Sequence, residues 1–245
     1  PFDPRLISEI PPFVAQAAMD TGVARKPIAD MQAYKHSLAQ RLDPTAAMMQ
    51  RVQTVVRRKP KCIVFAEGEE PSVIRAAYAF RELGLGNAVL VGREETVRAN
   101  MAQVGVPEGA ALSIVNARLS EHNALYADYL YKRLQRFGFL HRDAQRLVNL
   151  DRNVFGACMV AMGDADGMVT GITRRFPECY SDVKRVIDVE ADRVPMGYSI
   201  VVARHGTVFL ADTAINETPS PEELATIARQ MVRNARQMGH EPRVA

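Results

Sequence analysis

Short apolar runs alternate with amphipathic stretches from Lys61 onward, and this alternation predicts an α/β fold. Three runs, Cys62–Ala66, Ala88–Gly92 and Leu112–Val115, are apolar along almost their whole length. Such runs are typical of strands that are buried on both faces of a parallel sheet. Between the first two lies a stretch, Val73–Leu83, with apolar residues at helical spacing. Right-handed βαβ units of this kind place helices on both faces of the sheet.

The second half of the chain continues the pattern and adds a hairpin. Helices are predicted over Glu121–Phe137, Arg142–Asn149 and Asn153–Met162, a short strand over Gly167–Gly171, and a hairpin from Ser199–Ala203 and Val208–Ala211.

The last predicted helix has the clearest start and stop signals. Ser220 is its predicted N-cap, Pro221 its first residue, and Glu223 completes a capping box. Apolar residues at helical spacing over Leu224–Met238 predict one buried stripe, and Gly239 ends the helix.

The first 43 residues differ from the rest. Prolines at positions 1, 4, 11 and 12 predict a short irregular lead-in, followed by helices over Phe13–Met19 and about Asp30–Arg41. We therefore predict a helical linker at 1–43, a first lobe at 44–150 and a second, incomplete lobe at 151–245. The missing initiator Met and the apparent strand start at the other end lead us to expect a fragment of a longer protein.

Composition narrows the classes of function. The chain has 31 basic and 28 acidic residues, a balance too even for a dedicated nucleic-acid binder, although an anionic small ligand remains compatible with it. Its 3 cysteines are far apart, which argues against a disulfide framework or a cysteine zinc site. No apolar run approaches the roughly 20 residues of a membrane helix. We expect a cytoplasmic protein that binds neither nucleic acid nor membranes.

Two acidic segments are candidates for a site. The loop Glu67–Glu70 follows a predicted strand at the sheet edge where open α/β sheets bind ligands. Its carboxylates either begin the next helix or line a cleft, and Gly68 allows a close backbone approach. Asp164 and Asp166 directly precede the predicted strand Gly167–Gly171; they predict turn residues, an acid–base pair or a metal site. The residues alone leave these alternatives open.

Two further loops are candidates for binding an anion. In the run 170–175, a Gly exit from a strand carries Thr170, Thr173, Arg174 and Arg175, which predicts either a phosphate clamp or a solvated basic loop. After the hairpin, Asp212 lies where a cleft residue would lie, and Asn216 either joins it or only shapes the loop. The histidines do not cluster at metal-ligand spacing.

Three segments, taken in order, resemble the phosphate acetyltransferases (phosphotransacetylases). They are Phe65–Ala77, Ala165–Gly171 and 211–225, and the similarity covers about Pro44 to Ala245. The resemblance implies a three-layer α/β/α sandwich of the phosphotransacetylase (isocitrate-dehydrogenase-like) type, with two lobes and a cleft, here truncated at its C-terminus.

This chain departs from that family at the residues that carry its chemistry. Phosphotransacetylases have a His followed by Thr residues after the Gly that corresponds to Gly171, where this chain has Arg174 and Arg175. Their catalytic Ser and Arg lie beyond the strand that begins near Val244, so we predict no catalytic residue here. The Thr-Gly-Ile-Thr-Arg form resembles instead the phosphotransacetylase-like domain of hybrid bacterial NADP-dependent malic enzymes, and residues 1–43 resemble the end of their malic domain with a linker.

The resemblance to hybrid malic enzymes implies a regulatory role for this region. The full-length enzyme would oxidatively decarboxylate malate to pyruvate with NADP and a divalent metal (Mg or Mn), both held by the malic domain upstream. This region would bind acetyl-CoA or a related metabolite as an allosteric effector and help form a homo-oligomer. The alternatives are an active phosphate acetyltransferase, which moves acetyl between CoA and phosphate, and a scaffold with an inactive cleft. The predicted effector-binding residues are Thr170, Gly171, Thr173, Arg174, Arg175, Asp212 and Asn216.

Overall fold

The computed structural model describes residues 6–42, 44–107, 109–203 and 206–245. The elements within these residues are labelled here in chain order. The helices are α1 Leu6–Asp20, α2 Met31–Leu42, α3 Pro44–Arg57, α4 Pro71–Glu82, α5 Glu94–Gln103, α6 Asn123–Leu134 (with a 3-10 turn at Gln135–Phe137), α7 His141–Leu150, α8 Arg152–Met162, α9 Phe176–Val186 and α10 Pro221–Gln237. The strands are β1 Lys61–Phe65, β2 Gly86–Val91, β3 Ser113–Val115, β4 Gly167–Val169, β5 Tyr198–Ala203 and β6 Gly206–Ala211.

Four strands form a parallel sheet in the order β3-β2-β1-β4. In its register, Val64 of β1 lies opposite Val89 of β2 on one side and Met168 of β4 on the other. All four strands therefore end at one edge of the sheet, and the loops that leave them meet there. The predicted α/β fold with a parallel sheet is confirmed.

Both faces of this sheet are covered by helices. Val64 and Val89 enter a core with α6, α7 and α8, whereas Phe65 and Leu90 enter a second core with α4 and α5. Neighbouring residues of a strand point to opposite faces, so the fully apolar runs of the sequence are what a sheet buried on both sides requires. The result is the predicted α/β/α sandwich.

The hairpin and the last helix follow the prediction with one exception. β5 and β6 pair antiparallel, and Ser220 caps α10 by accepting from the Glu223 N–H while Glu223 accepts from the Ser220 N–H. Within the predicted stripe, Ile227 and Met231 are buried. Leu224 is 52% exposed, so its predicted burial is wrong. It lies in the first turn of α10 and borders an open apolar groove, which leaves it half covered.

Removing the Ser220 hydroxyl is expected to lower the free energy of unfolding by about 1 kcal/mol, because one backbone donor of α10 loses its partner. Urea unfolding of Ser220→Ala checks this. Ser199→Ala, which removes a hydroxyl from an exposed strand position, is the matched control. Equal stability of the two variants would contradict the capping role.

Contacts group the described residues into two compact units. One unit holds the residues up to Thr54 and those from Ala191 onward, and the other is Val55–Glu190. The predicted boundary at 150/151 lies inside the second unit, where α8 packs against β1. The division into lobes at that point stays a prediction.

The N-terminal part differs from the prediction in two ways. Helix α1 runs through Pro11 and Pro12, so the irregular lead-in predicted there is wrong; Pro1 and Pro4 lie outside the described residues. Proline has the backbone φ of a helix, and both prolines lie within the first two turns of α1. Helix α3 was not predicted. None of the helices in the described ranges combines the length and apolar character that a membrane crossing requires.

Candidate functional site

The loop that follows β4 is held by one buried carboxylate. Glu67, just after β1, is 1% exposed. Its oxygens accept hydrogen bonds from the backbone N–H groups of Gly171 (3.0 Å), Ile172 (2.7 Å) and Thr173 (2.8 Å), and from the Thr173 hydroxyl (2.5 Å). The two segments meet because β1 and β4 are parallel neighbours and end at the same edge.

Glu67 acts as an internal anion. Burial raises the pKa of its carboxyl, but the hydrogen bonds from Thr173, Ile172 and Gly171 outweigh burial and lower the pKa below its ordinary value. The amide groups of the predicted phosphate clamp therefore already bind a negative charge that belongs to the chain itself. Of the two predicted roles for the acidic loop, neither describes this residue.

Arg174 is held by two carboxylates. Its guanidinium donates to Asp151 at 2.6 Å and to Asp182 at 3.0 Å. Asp182 is buried and also accepts from Asn153 and Arg185. The hydrogen bond to Asp151 is the main reason why the pKa of Arg174 is raised. Arg174 is thus a fixed cation that joins the loop to α8 and α9.

The remaining loop residues differ in how they are engaged. The Thr170 hydroxyl donates to the Asn153 side chain at 2.6 Å. Arg175 immediately precedes α9 and is exposed, and no ion pair to its side chain occurs within the described residues. The loop therefore directs most of its polar groups inward and presents Arg175 to solvent.

Asp212 and Asn216 lie in the other unit, where they organise their own loop. The Asp212 carboxylate accepts from the backbone N–H groups of Gly197 (2.8 Å), Ala214 (3.1 Å) and Asn216 (2.6 Å), and from the Asn216 side chain (2.6 Å). Burial raises the pKa of Asp212, but these hydrogen bonds prevail and lower it to about 2. The structure thus brings Thr170–Arg175 together in one loop and Asp212 with Asn216 in another; an effector-binding role for both stays a prediction.

The other carboxylates of the Glu67–Glu70 loop have separate roles. The two oxygens of Glu69 accept hydrogen bonds from Nε and Nη2 of Arg93, at 2.9 and 3.0 Å. This hydrogen bonding is the main reason why the pKa of Glu69 is lowered. Glu70 occupies the N-cap position of α4 without a capping hydrogen bond from its side chain. Glu69 lines a cavity, as one interpretation predicted, and Glu70 begins α4, as the other predicted, although its side chain makes no capping hydrogen bond.

Asp164 and Asp166 face different partners. Asp164 accepts from the Tyr126 hydroxyl (2.5 Å), which is the main cause of its lowered pKa, and contacts His122 (3.1 Å). Asp166 pairs with Lys61 at 2.5 Å. Within the ranges that the structure describes, no three His, Cys, Asp or Glu side chains are arranged to hold a metal ion.

The two carboxylates that position Arg174 were not among the residues predicted from the sequence. Asp151 is the N-cap of α8 and accepts from the N–H groups of Asn153 and Val154. An Asp just before a helix start is a recognisable capping signal, so the position of Asp151 at the start of α8 could have been predicted from the sequence. Asp182 lies inside α9, where an acidic residue is usually interpreted as solvated, and no local pattern marks it as buried.

A parallel sheet that is covered by helices on both faces defines the open α/β class of folds, with polar loops where its strands end. The chain belongs to the phosphotransacetylase family: a family profile described as "Phosphate acetyl/butaryl transferase" matches residues 47–245. The predicted resemblance to this family is confirmed.

Similar proteins include malic enzymes. The whole chain aligns with an NADP-dependent malic enzyme of Rhizobium meliloti (strain 1021) at 53% identity, over 32% of that protein. A probable NADP-dependent malic enzyme of Rickettsia prowazekii (strain Madrid E) is 44% identical over 100% of the chain and 32% of its own length. The crystal structure of a phosphotransacetylase from Streptococcus pyogenes matches 81% of this chain and 60% of that chain, with a TM-score of 0.75 and 25% identity. The chain spans about a third of the length of these malic enzymes.

Proposed function

We propose that this chain is the phosphotransacetylase-like part of a cytoplasmic NADP-dependent malic enzyme, and that it regulates the enzyme by binding acetyl-CoA or a related metabolite. It also contributes to a homo-oligomer. The alignment of the whole chain with malic enzymes supports the first part of this proposal. An effector acts only if it binds one state of the assembly better than another, and a coupling of about 1–3 kcal/mol is sufficient for regulation.

In this proposal the redox chemistry belongs to the rest of the enzyme. Malate would be oxidatively decarboxylated to pyruvate with NADP and Mg or Mn. We assign no residue of this chain to NADP or to the metal, because the described carboxylates of the sheet edge are engaged with Arg, Thr and backbone donors. The role of these residues is to keep a binding surface in one shape.

The observation that carries the proposal is the rigid frame around Arg174. The Glu67 carboxylate accepts hydrogen bonds from the backbone N–H groups of the loop, and Asp151 and Asp182 form ion pairs with Arg174 itself. Asp151 and Asp182 neutralise Arg174, so the cation that this frame presents to solvent is the neighbouring Arg175. An arginine held in a fixed position without a reactive group beside it suits binding of an anion more than transfer of an acyl group.

The expected result of replacing Arg175 with alanine is a roughly tenfold loss of acetyl-CoA affinity, which is about 1.4 kcal/mol. Arg175 is the better variant because Arg174 also supports the fold. Calorimetric titration of the full-length enzyme measures it. Arg136→Ala, at an exposed arginine in the turn after α6, is the control. Unchanged affinity would refute a role of this loop in effector binding.

Phosphate acetyltransferase activity is the second candidate, which the match to the family profile raises, but the alignment of the whole chain with malic enzymes makes it the less favoured one. Measuring CoA-dependent consumption of acetyl phosphate by the full-length protein separates the two functions. Turnover would replace the regulatory proposal with a catalytic one.

A further inference from the structure

A second group of arginines, not singled out in the sequence analysis, surrounds a cavity at the ends of β2 and β3. The cavity has a volume of about 530 Å³. Its cationic residues come from three places: Arg93 follows β2, Arg118 follows β3, and Arg152 begins α8. All three lie in the unit Val55–Glu190. The cavity is therefore formed within one compact unit of the chain.

The positive charge of this cavity is only partly neutralised. Arg93 pairs with Glu69. Arg174, which also lines the cavity, is neutralised by Asp151 and Asp182. In the part of the chain that the structure describes, no ion pair to a carboxylate involves Arg118 or Arg152.

Two amide side chains add neutral donors. The Asn116 oxygen accepts from the backbone N–H of Arg118 at 3.1 Å, and the Asn149 oxygen accepts from Asn123 at 2.5 Å. Since both oxygens are engaged, the NH₂ groups of these two asparagines are the ends left to bind in the cavity.

The number of hydrogen-bond donors around this cavity favours a phosphoryl group over a carboxylate as its ligand. A carboxylate has two oxygens and is satisfied by one or two arginines, whereas a phosphoryl group has three terminal oxygens and about two negative charges. Donors that arrive from three separate elements surround a tetrahedral anion better than a planar one. The backbone donors of residues 171–173 do not compete for it, because Glu67 already occupies them.

We propose that Arg118 and Arg152, supported by Arg93, Asn116 and Asn149, bind a phosphoryl or pyrophosphoryl group of a small metabolite. This deepens the proposed effector function and rests on it for the identity of the whole metabolite, but not for the anion site itself. The group that reaches this cavity is bound by side chains, not by the strand-exit loop predicted from the sequence.

The test uses pyrophosphate and inorganic phosphate as probes on the full-length protein, titrated by calorimetry near neutral pH. We expect wild type to bind pyrophosphate with a Kd of about 1 mM or tighter, and Arg118→Gln/Arg152→Gln to bind it at least about tenfold more weakly. Arg98→Gln is the control, because Arg98 is exposed and pairs with Glu94 on α5, outside the cavity lining. It should bind like wild type.

Two outcomes would overturn the proposal: no binding of either probe up to about 10 mM, or equal affinity of the double variant and wild type. Thermal unfolding without ligand shows that the double variant is folded, and Arg118→Lys/Arg152→Lys, which keeps the charge and loses the planar fork, should fall between the two.

Titrating acetyl-CoA into the full-length protein with and without pyrophosphate tests the anion site separately from the effector function. Competition between acetyl-CoA and pyrophosphate supports both. If pyrophosphate behaves as expected but acetyl-CoA does not bind, the anion site stands and the acetyl-CoA function fails. If acetyl-CoA binds without competing, the link between the anion site and the effector is overturned.

Discussion

Replacing Glu67 with glutamine is expected to lower the free energy of unfolding by roughly 2–4 kcal/mol near neutral pH. The carboxylate accepts four hydrogen bonds at a position that is 1% exposed. Glutamine offers one acceptor oxygen, and its NH₂ group would face N–H and O–H donors. The Thr173 hydroxyl can turn to accept from this NH₂ group, but at least one backbone N–H of the loop loses its acceptor, and the remaining hydrogen bonds are no longer made to a charged group.

Urea unfolding measures this difference, and hydrogen exchange shows where it arises. The amides of Ile172 and Thr173 donate to Glu67, so the peptide that contains them should exchange faster in Glu67→Gln than in wild type. Glu70→Gln is the matched control in the same loop, since its side chain makes no capping hydrogen bond. It should change stability by no more than about 0.5 kcal/mol. An equally mild effect of Glu67→Gln would contradict the anchoring role.

The same variant predicts a change in the response to acid. The fold lowers the pKa of Glu67, so its stabilising contribution is complete above the ordinary carboxyl pKa of about 4.5 and is lost as the pH falls through the lower folded-state value. Wild type should therefore lose stability below about pH 4.5 more steeply than Glu67→Gln. Parallel stability curves for the two proteins would contradict this.

Strands and most helices were predictable because their signals are local. An apolar run such as Cys62–Ala66 can be buried on both sides only in a covered parallel sheet, and the capping box at Ser220 lies within four residues. Helix α1 was bounded wrongly because the rule that proline disfavours a helix interior is a local one, whereas α1 contains both Pro11 and Pro12.

The location of the candidate site could be predicted from the sequence, but the partners of its polar groups could not. The Gly exit at 170–175 was located correctly at a strand end, because sheet topology decides where loops meet. What the polar groups bind depends on residues far along the chain: Glu67 lies 104 residues before Gly171, and Asp151 lies 23 before Arg174. A basic loop that faces free solvent and one that faces buried carboxylates have the same local sequence.

Gly68 is a second residue whose role depends on a distant part of the chain, and replacing it is expected to lower stability strongly. The sequence suggested that it lets the backbone approach a ligand, but it lies against β2. A Cβ atom there would be 2.7 Å from the Val91 nitrogen and 2.8 Å from the Val91 oxygen, while the Gly68 N–H already donates to that oxygen at 3.1 Å. Both atoms are backbone, so no side chain can rotate away. Gly68→Ala must therefore move the end of β1 away from β2.

We expect Gly68→Ala to destabilise the protein by about 3 kcal/mol, the upper end of the usual cost of overpacking. Chemical denaturation checks this against Gly109→Ala, where an added Cβ has nothing within 4 Å and stability should hardly change. The displacement would also carry Glu67 and Glu69 with it, since both flank the glycine. Faster exchange at residues 171–173 should therefore accompany the loss of stability. Stability of Gly68→Ala equal to that of Gly109→Ala would show that β1 and β2 do not approach as closely as described.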